Sequence, residues 1–169
     1  GFLRPDQGTV HFDGQDITGR APHLNARAGM ARTFQIVQPF ATQTVRENIA
    51  VGAHLRHPGR GAAIAAAEAV AHRVQMGDLL DRPADSLTVA QRKRLEVAKA
   101  LATEPRLLLL DEVLAGLNPS EIRDVLPLIR SLREGGVTIL MIEHVMQAVM
   151  SLCDRAYVLN NGRIIAEGE

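Results

Sequence analysis

The chain has 169 residues, and its 19 basic and 19 acidic side chains cancel to a formal net charge of zero. At 46% hydrophobic and 22% charged it has the composition of a globular domain, which excludes a disordered tail or a low-complexity chain. The charge balance argues against a basic nucleic-acid binder, and the lone Cys153 excludes an internal disulfide framework and fits a reducing compartment; no apolar run approaches the roughly 20 residues of a membrane helix.

Gly1-Phe2-Leu3-Arg4-Pro5 reads as the last turn of a helix entering a loop. With no initiator Met, and with an end at Glu169 just past an apparent hairpin, the chain is expected to be a piece of a longer domain. Thr9–Asp13 is a predicted strand between Gly8 and Gly14, Pro22–Arg27 a short helix and Ala31–Phe34 a second strand. A polar stretch, Gln35–Thr44, leads into a helical pattern over Val45–His54. Ala62–Met76 is Ala-rich and strongly helix-forming, and Asp81-Arg82-Pro83 ends that block. Beyond it the pattern alternates: helix Val89–Ala102, strand Arg106–Leu110, helix Pro119–Arg133, strand Val137–Ile142, helix Val145–Leu152, strand Arg155–Leu159. Asn160-Asn161-Gly162 then turns into Arg163–Ala166, a hairpin signal.

Strand–helix alternation implies an α/β fold with a parallel sheet covered by helices. Leu107–Leu110 are all apolar, as for a strand buried on both faces. Gln35–Asp85 is then a helical insertion. Only 3% of residues are aromatic, so the core is expected to consist of Leu, Val, Ile and Ala. Asn118-Pro119-Ser120-Glu121 has the order of an N-cap, a first-position Pro and a capping Glu, and Gly135-Gly136 can close that helix. Pro127 removes an interior hydrogen bond and is expected to kink it.

Three strand ends and one helix start carry the chemistry. The apolar run Leu107–Leu110 ends in Asp111-Glu112, where an Asp can hold Mg²⁺ and a Glu can polarise water. The bland alternative is a solvated acidic turn. Thr88 and Gln91 have capping-box spacing, followed by Arg92-Lys93-Arg94, cations that oppose the helix dipole. They suit a docked anion such as phosphate; otherwise this is a capped helix with a basic first turn. His144 follows the strand Val137–Ile142 and could reach a phosphate oxygen, although a lone His is more often structural. Gln35 follows the strand Ala31–Phe34, and Gln is common in loops.

In order and spacing these features resemble the ATP-binding subunit of ABC transporters. Gln35 matches the Q-loop, Leu87-Thr88-Val89-Ala90-Gln91 the signature motif, and Leu107–Glu112 Walker B. Ala115-Gly116-Leu117-Asn118 matches the D-loop, His144 the H-loop, and Asp154–Ile164 the closing hairpin. Gly116-Leu117-Asn118-Pro119 and Arg32-Thr33-Phe34-Gln35 resemble the branched-chain amino acid (LIV) branch. The resemblance implies a P-loop NTPase (RecA-like) parallel sheet with helices on both faces and a helical insertion. Residues 1–35 would form the sheet region up to the Q-loop, 36–85 the helical subdomain, and 86–169 the core with signature, Walker B and H-loop. It implies ATP and Mg²⁺ as cofactors. Glu112 and His144 would be catalytic, and Asp111 and Gln35 would hold the metal. Gln35, Thr88, Val89, Ala90, Gln91 and Asn118 would meet nucleotide. The implied partners are a second ATP-binding subunit, identical or not, transmembrane permease subunits and, indirectly, a substrate-binding protein, with no nucleic acid. The implied place is the cytoplasmic face of a membrane, peripherally. The Gln35–Leu55 surface would face the permease.

Two departures stand out. No Gly-x-x-x-x-Gly-Lys-Ser/Thr is present, because the only lysines are Lys93 and Lys99. The amino-terminal strands and P-loop are expected to lie before Gly1, and these 169 residues alone are expected not to hydrolyse ATP. In the signature, Val89 and Ala90 replace glycines, and each added Cβ crowds a phosphate, so weaker closure is expected. The competing readings are a non-catalytic regulatory or interaction module, or an ABC ATPase outside transport.

Overall fold

The computed structural model describes residues 2–169. Residues 2–5 form no helical turn, and Gly1 lies outside the described residues. The first regular element is a small hairpin, not one strand: β1 (His11–Phe12) pairs antiparallel with β2 (Gln15–Asp16). Between them Asp13 and Gly14 both take positive φ, +51° and +74°. That is a type I′ turn, for which Asp-Gly is a favoured pair. Helix α1 (Pro22–Arg27) starts on Pro22 and leads to β3 (Met30–Arg32). Arg106 ties these pieces to the sheet: it pairs with Asp13, lies over the Phe12 ring and donates to the Ala28 carbonyl at 3.0 Å.

Helix α2 (Val45–Ala53) opens on a capping box, in which Thr44 Oγ1 accepts from the Glu47 amide at 3.2 Å and Glu47 Oε2 accepts from the Thr44 amide at 2.8 Å. Helix α3 (Arg60–Arg73) buries Ala63, Ala67 and Ala71, a stripe of small side chains at helical spacing. It ends before the expected Met76 because Gln75 turns left-handed at φ +57°. Helix α4 (Val89–Leu101) packs against α2, and Gly52 marks the crossing. A Cβ there would sit 2.3 Å from the Lys99 carbonyl oxygen. Gly52→Ala would add helix propensity, yet backbone cannot move aside as a side-chain tip can. The expected net result is a loss of about 2 kcal/mol in unfolding free energy, read as a lower urea midpoint at unchanged m-value. An unchanged or higher midpoint would mean the helices separate freely.

Strands β4 (Leu107–Asp111) and β5 (Thr138–Ile142) complete a parallel sheet in the order β3-β4-β5. Ala31 lies opposite Leu108, and Asp111 opposite Ile142. Leu108 and Leu110 are fully buried in one cluster with Leu95 and Leu101 of α4 and with Ile129 and Leu132 of helix α5 (Pro119–Glu134). The alternate residues Leu107 and Leu109 are half-buried, so the strand is not sealed equally on its two faces. The same alternation leaves Leu140 and Ile142 of β5 59% and 64% exposed.

Helix α5 has the expected Asn118 cap and Pro119 start, and it runs through Pro127 to Glu134. Pro127 is exposed while Leu126, Leu128, Ile129 and Leu132 are buried, so packing carries the helix past the missing hydrogen bond. Helix α6 (Met146–Leu152) follows. The chain then forms the expected hairpin of β6 (Ala156–Asn160) and β7 (Arg163–Gly168), with Asn161 and Gly162 at positive φ. Among the described residues β6 pairs only with β7 and does not join the parallel sheet.

Candidate functional site

Because β3, β4 and β5 are parallel, their carboxyl ends open on one edge, where open α/β sheets place ligands. Thr33 continues β3 there and is completely buried. Its amide donates to the Leu109 carbonyl at 3.0 Å, and its Oγ1 accepts from the Asp111 amide at 3.1 Å. These bonds fix the end of β3 against the end of β4. Two side-chain contacts cross the same seam. The Arg32 guanidinium meets Asp111 Oδ2 at 2.6 Å, and Gln35 Nε2 donates to Glu112 Oε2 at 2.5 Å. The Arg32–Asp111 pair is partly exposed and contributes at most about 1 kcal/mol to stability, so its interest is electrostatic placement.

Glu112 is held in an uncommon backbone state, with φ +46°. A non-glycine residue there costs on the order of 1–3 kcal/mol and persists when its surroundings enforce it. Its amide donates to the Ile142 carbonyl at 3.0 Å. Its carbonyl accepts from Lys93 Nζ at 3.0 Å and from the Ala115 amide at 3.2 Å. Next to it, Glu143 Oε1 accepts from the Leu114 amide at 2.9 Å, which joins the end of β5 to the turn after β4. Glu143 Oε2 is buried without a partner, and burial pushes the Glu143 carboxyl above its ordinary range. His144 is exposed, one residue beyond, and makes no side-chain hydrogen bond among the described residues.

Of the residues singled out in the sequence, the structure brings Gln35, Asp111 and Glu112 together and sets His144 on the same sheet edge. Thr88, Val89, Ala90 and Gln91 form the start of α4, apart from that group. Thr88 Oγ1 accepts from the Gln91 amide at 3.3 Å, and Gln91 Oε1 accepts from the Thr88 amide at 3.0 Å. The capping reading is therefore correct. Val89 is 59% exposed, so the turn is open to a ligand from outside. The basic first turn is in part bound within the chain. Arg92 donates to the Asp85 carbonyl at 2.6 Å and Lys93 to that of Glu112, so two of the three cations satisfy this chain's own backbone. Asn118 likewise spends its Oδ1 on the amides of Ser120 and Glu121, at 2.9 and 3.0 Å.

Sequence reading missed Arg32, Lys93 as a partner of Glu112, and Glu143; each acts through a contact far away in the chain. A cleft of about 470 Å³ lies along β5 between α5 and the start of β6, where Ile139, Met141 and Arg155 line it. It touches none of the carboxylates of the sheet edge. Among the described residues no cluster of His, Cys, Asp and Glu forms a metal cage. The donors at hand, an Asp carboxylate and a Gln amide, are oxygen ligands. They suit Mg²⁺, which is commonly held by one or two carboxylates plus substrate phosphates.

The family model described as ABC transporter matches residues 1–115. The chain belongs to the ABC transporter family. It is 40% identical to the high-affinity branched-chain amino acid transport ATP-binding protein BraF of Pseudomonas aeruginosa, over 99% of this chain and 72% of that protein. It is 36% identical to the probable branched-chain amino acid transport ATP-binding protein LivG of Archaeoglobus fulgidus, over 100% of this chain and 70% of the relative. A nucleotide-free ATP-binding cassette from an ABC transporter superposes with a TM-score of 0.88 at 32% identity, covering 99% of this chain and 72% of that one. The ADP conformation of the cassette MJ1267 gives 0.88 at 33%, covering 99% and 71%. The α/β fold with its parallel sheet is that of an ABC ATPase cassette.

Proposed function

We propose that this chain is the ATP-binding and ATP-hydrolysing part of a subunit that energises an importer of branched-chain amino acids or similar small polar solutes. The observation that carries the chemistry is the pair of contacts, Gln35 to Glu112 and Arg32 to Asp111, at the carboxyl edge of a parallel sheet. The cargo follows from the relatives' names, BraF and LivG, both branched-chain amino acid transport ATP-binding proteins.

Glu112 Oε2 takes the proton of the attacking water, whose oxygen forms the new bond to the γ-phosphorus as the bond to the bridging oxygen breaks. Gln35, already on that carboxylate, orients the same water and changes partner when the phosphate leaves. His144 donates to a γ-phosphate oxygen. Asp111, with Gln35, would hold Mg²⁺, which when bound neutralises phosphate charge. Arg32 aims Asp111 through their ion pair. Thr88, Val89, Ala90 and Gln91 present the start of α4 to the nucleotide of a second ATP-binding subunit, and Asn118 sets the start of α5 beside it. Residues 36–85 form the helical arm, the Gln35–Leu55 surface faces a permease subunit, and the protein is peripheral at the cytoplasmic face of a membrane. Among the described residues no helix is long and apolar enough to cross a membrane.

The 169 residues by themselves are expected to show MgATP turnover no higher than their own Glu112→Gln variant, because they carry no Walker A lysine or glycines to cradle the β- and γ-phosphates. Robust turnover abolished by that substitution would overturn this. Joined behind the Walker A segment of a family member and assembled with a permease in proteoliposomes, the chain is expected to hydrolyse ATP several-fold faster with leucine, isoleucine or valine and their binding protein. Turnover indifferent to all three would remove the assigned cargo.

A further inference from the structure

We infer that Lys93 is a positioning residue which ties the signature helix to the catalytic base of the same subunit, so that each ATP site of a dimer senses the other. This rests on the function proposed above.

Lys93 lies one helical turn beyond Val89, near the positive end of the α4 dipole, a poor place for a cation. Among the described residues no carboxylate pairs with it, whereas Lys99 pairs with Glu96 at 3.0 Å. Its ammonium is instead spent on one peptide oxygen, that of Glu112, at 3.0 Å. That oxygen belongs to the one site residue with a left-handed backbone. Glu112 is thus held at three groups: its amide by the Ile142 carbonyl of β5, its carbonyl by Lys93 of α4 alongside the Ala115 amide of its own turn, and its carboxylate by Gln35 beyond β3. The first and third anchors belong to the sheet edge. The second alone leads to another surface, the exposed Thr88–Gln91 turn.

The mechanical consequence follows from the rigidity of a capped helix. The Thr88–Gln91 capping box makes the signature turn one body with the rest of α4. A phosphate from the partner site that draws this turn outward moves Lys93 with it. A shift of about 1 Å is enough to stretch a 3.0 Å hydrogen bond past its useful length. The Glu112 peptide then turns, and the direction of its carboxylate turns with it. Occupancy of the signature by one nucleotide is thereby registered at the base that acts on the other.

The test compares wild type, Lys93→Met and Lys93→Arg in the chain joined to a Walker A segment and assembled as a dimer. ATP turnover is followed against ATP concentration, with melting temperature measured in parallel. Wild type is expected to be cooperative. Lys93→Met is expected to lose tenfold or more in kcat with KM changed by less than twofold, and to give a Hill coefficient near one. Lys93→Arg, which still donates to a carbonyl, is expected to restore most of the rate and the cooperativity. A purely structural role would lower the active fraction and leave the Hill coefficient alone. The inference is overturned by a non-cooperative wild type, by a Lys93→Met dimer with wild-type Hill coefficient, or by failure of Lys93→Arg to recover it at wild-type melting temperature. A wild type with no turnover at all overturns the proposed function instead.

Discussion

Replacing Asn48 by Asp is expected to lower the unfolding free energy by about 3–5 kcal/mol at pH 7. Asn48 is completely buried in α2. Its Nδ2 donates toward the carbonyls of Phe40, Gln43 and Thr44 at 3.1, 3.3 and 2.9 Å, and its Oδ1 accepts from the Phe40 amide at 2.9 Å. Asp has the same shape, but turns the donor into an anionic oxygen facing those three carbonyls. The new carboxyl would have a folded pKa raised above the unfolded value of about 3.9. The native state then binds the proton more tightly, so the penalty grows as pH rises above that value and shrinks as pH falls toward it. Urea titrations at pH 7 and pH 5 check both parts. A loss of equal size at the two values would point to packing and not to charge. The segment held by Asn48 runs on from Gln35, so the variant also loosens the support of the candidate site.

Glu112→Gln is expected to cost 10²–10⁴-fold in kcat in a Walker A-bearing subunit, with KM for ATP nearly unchanged. The amide cannot take the proton of the attacking water. It keeps the size of the carboxylate, and it leaves the Arg32–Asp111 pair and the Thr33 bonds alone. Steady-state turnover together with equilibrium nucleotide binding separates the two effects. A loss of tenfold or less would assign the base to another group, and Glu143, half-buried with its Oε2 unpartnered and adjacent to His144, would be the first to examine.

How much of this was legible depended on how local each signal is. The run Leu107–Leu110 and its two carboxylates were readable because a buried strand is a continuous apolar word and its end is abrupt. The start of α5 was readable from Asn118, Pro119 and Glu121, whose capping bonds span three residues at most. The β1–β2 hairpin was read as one strand because each strand has only two residues, too few for an alternation to show, although Asp13-Gly14 carried the turn signal. The early end of α3 has no glycine to announce it; Gln75 takes the left-handed position. The partners of Arg32 and Lys93 were not readable at all. Arg32 meets a residue 79 positions away and Lys93 one 19 positions away, and periodicity within one element says nothing about such contacts. For the same reason the sequence leaves the basic turn at the start of α4 open between an anion receptor and a plain capped helix, and does not show that two of its cations meet carbonyls of this chain.

Thr88, Gln91 and Asn118 each cap the helix they precede or begin. Removing such a cap costs about 1 kcal/mol whether or not a nucleotide is ever bound. In a population of variants scored by growth on an imported amino acid, these positions would therefore register twice: once as reduced abundance in the cell and once as reduced uptake per molecule. Val89 and Ala90, whose side chains cap nothing, would register only in the second. The ratio of uptake to abundance along the four consecutive residues Thr88–Gln91 separates what the helix needs from what the ligand needs.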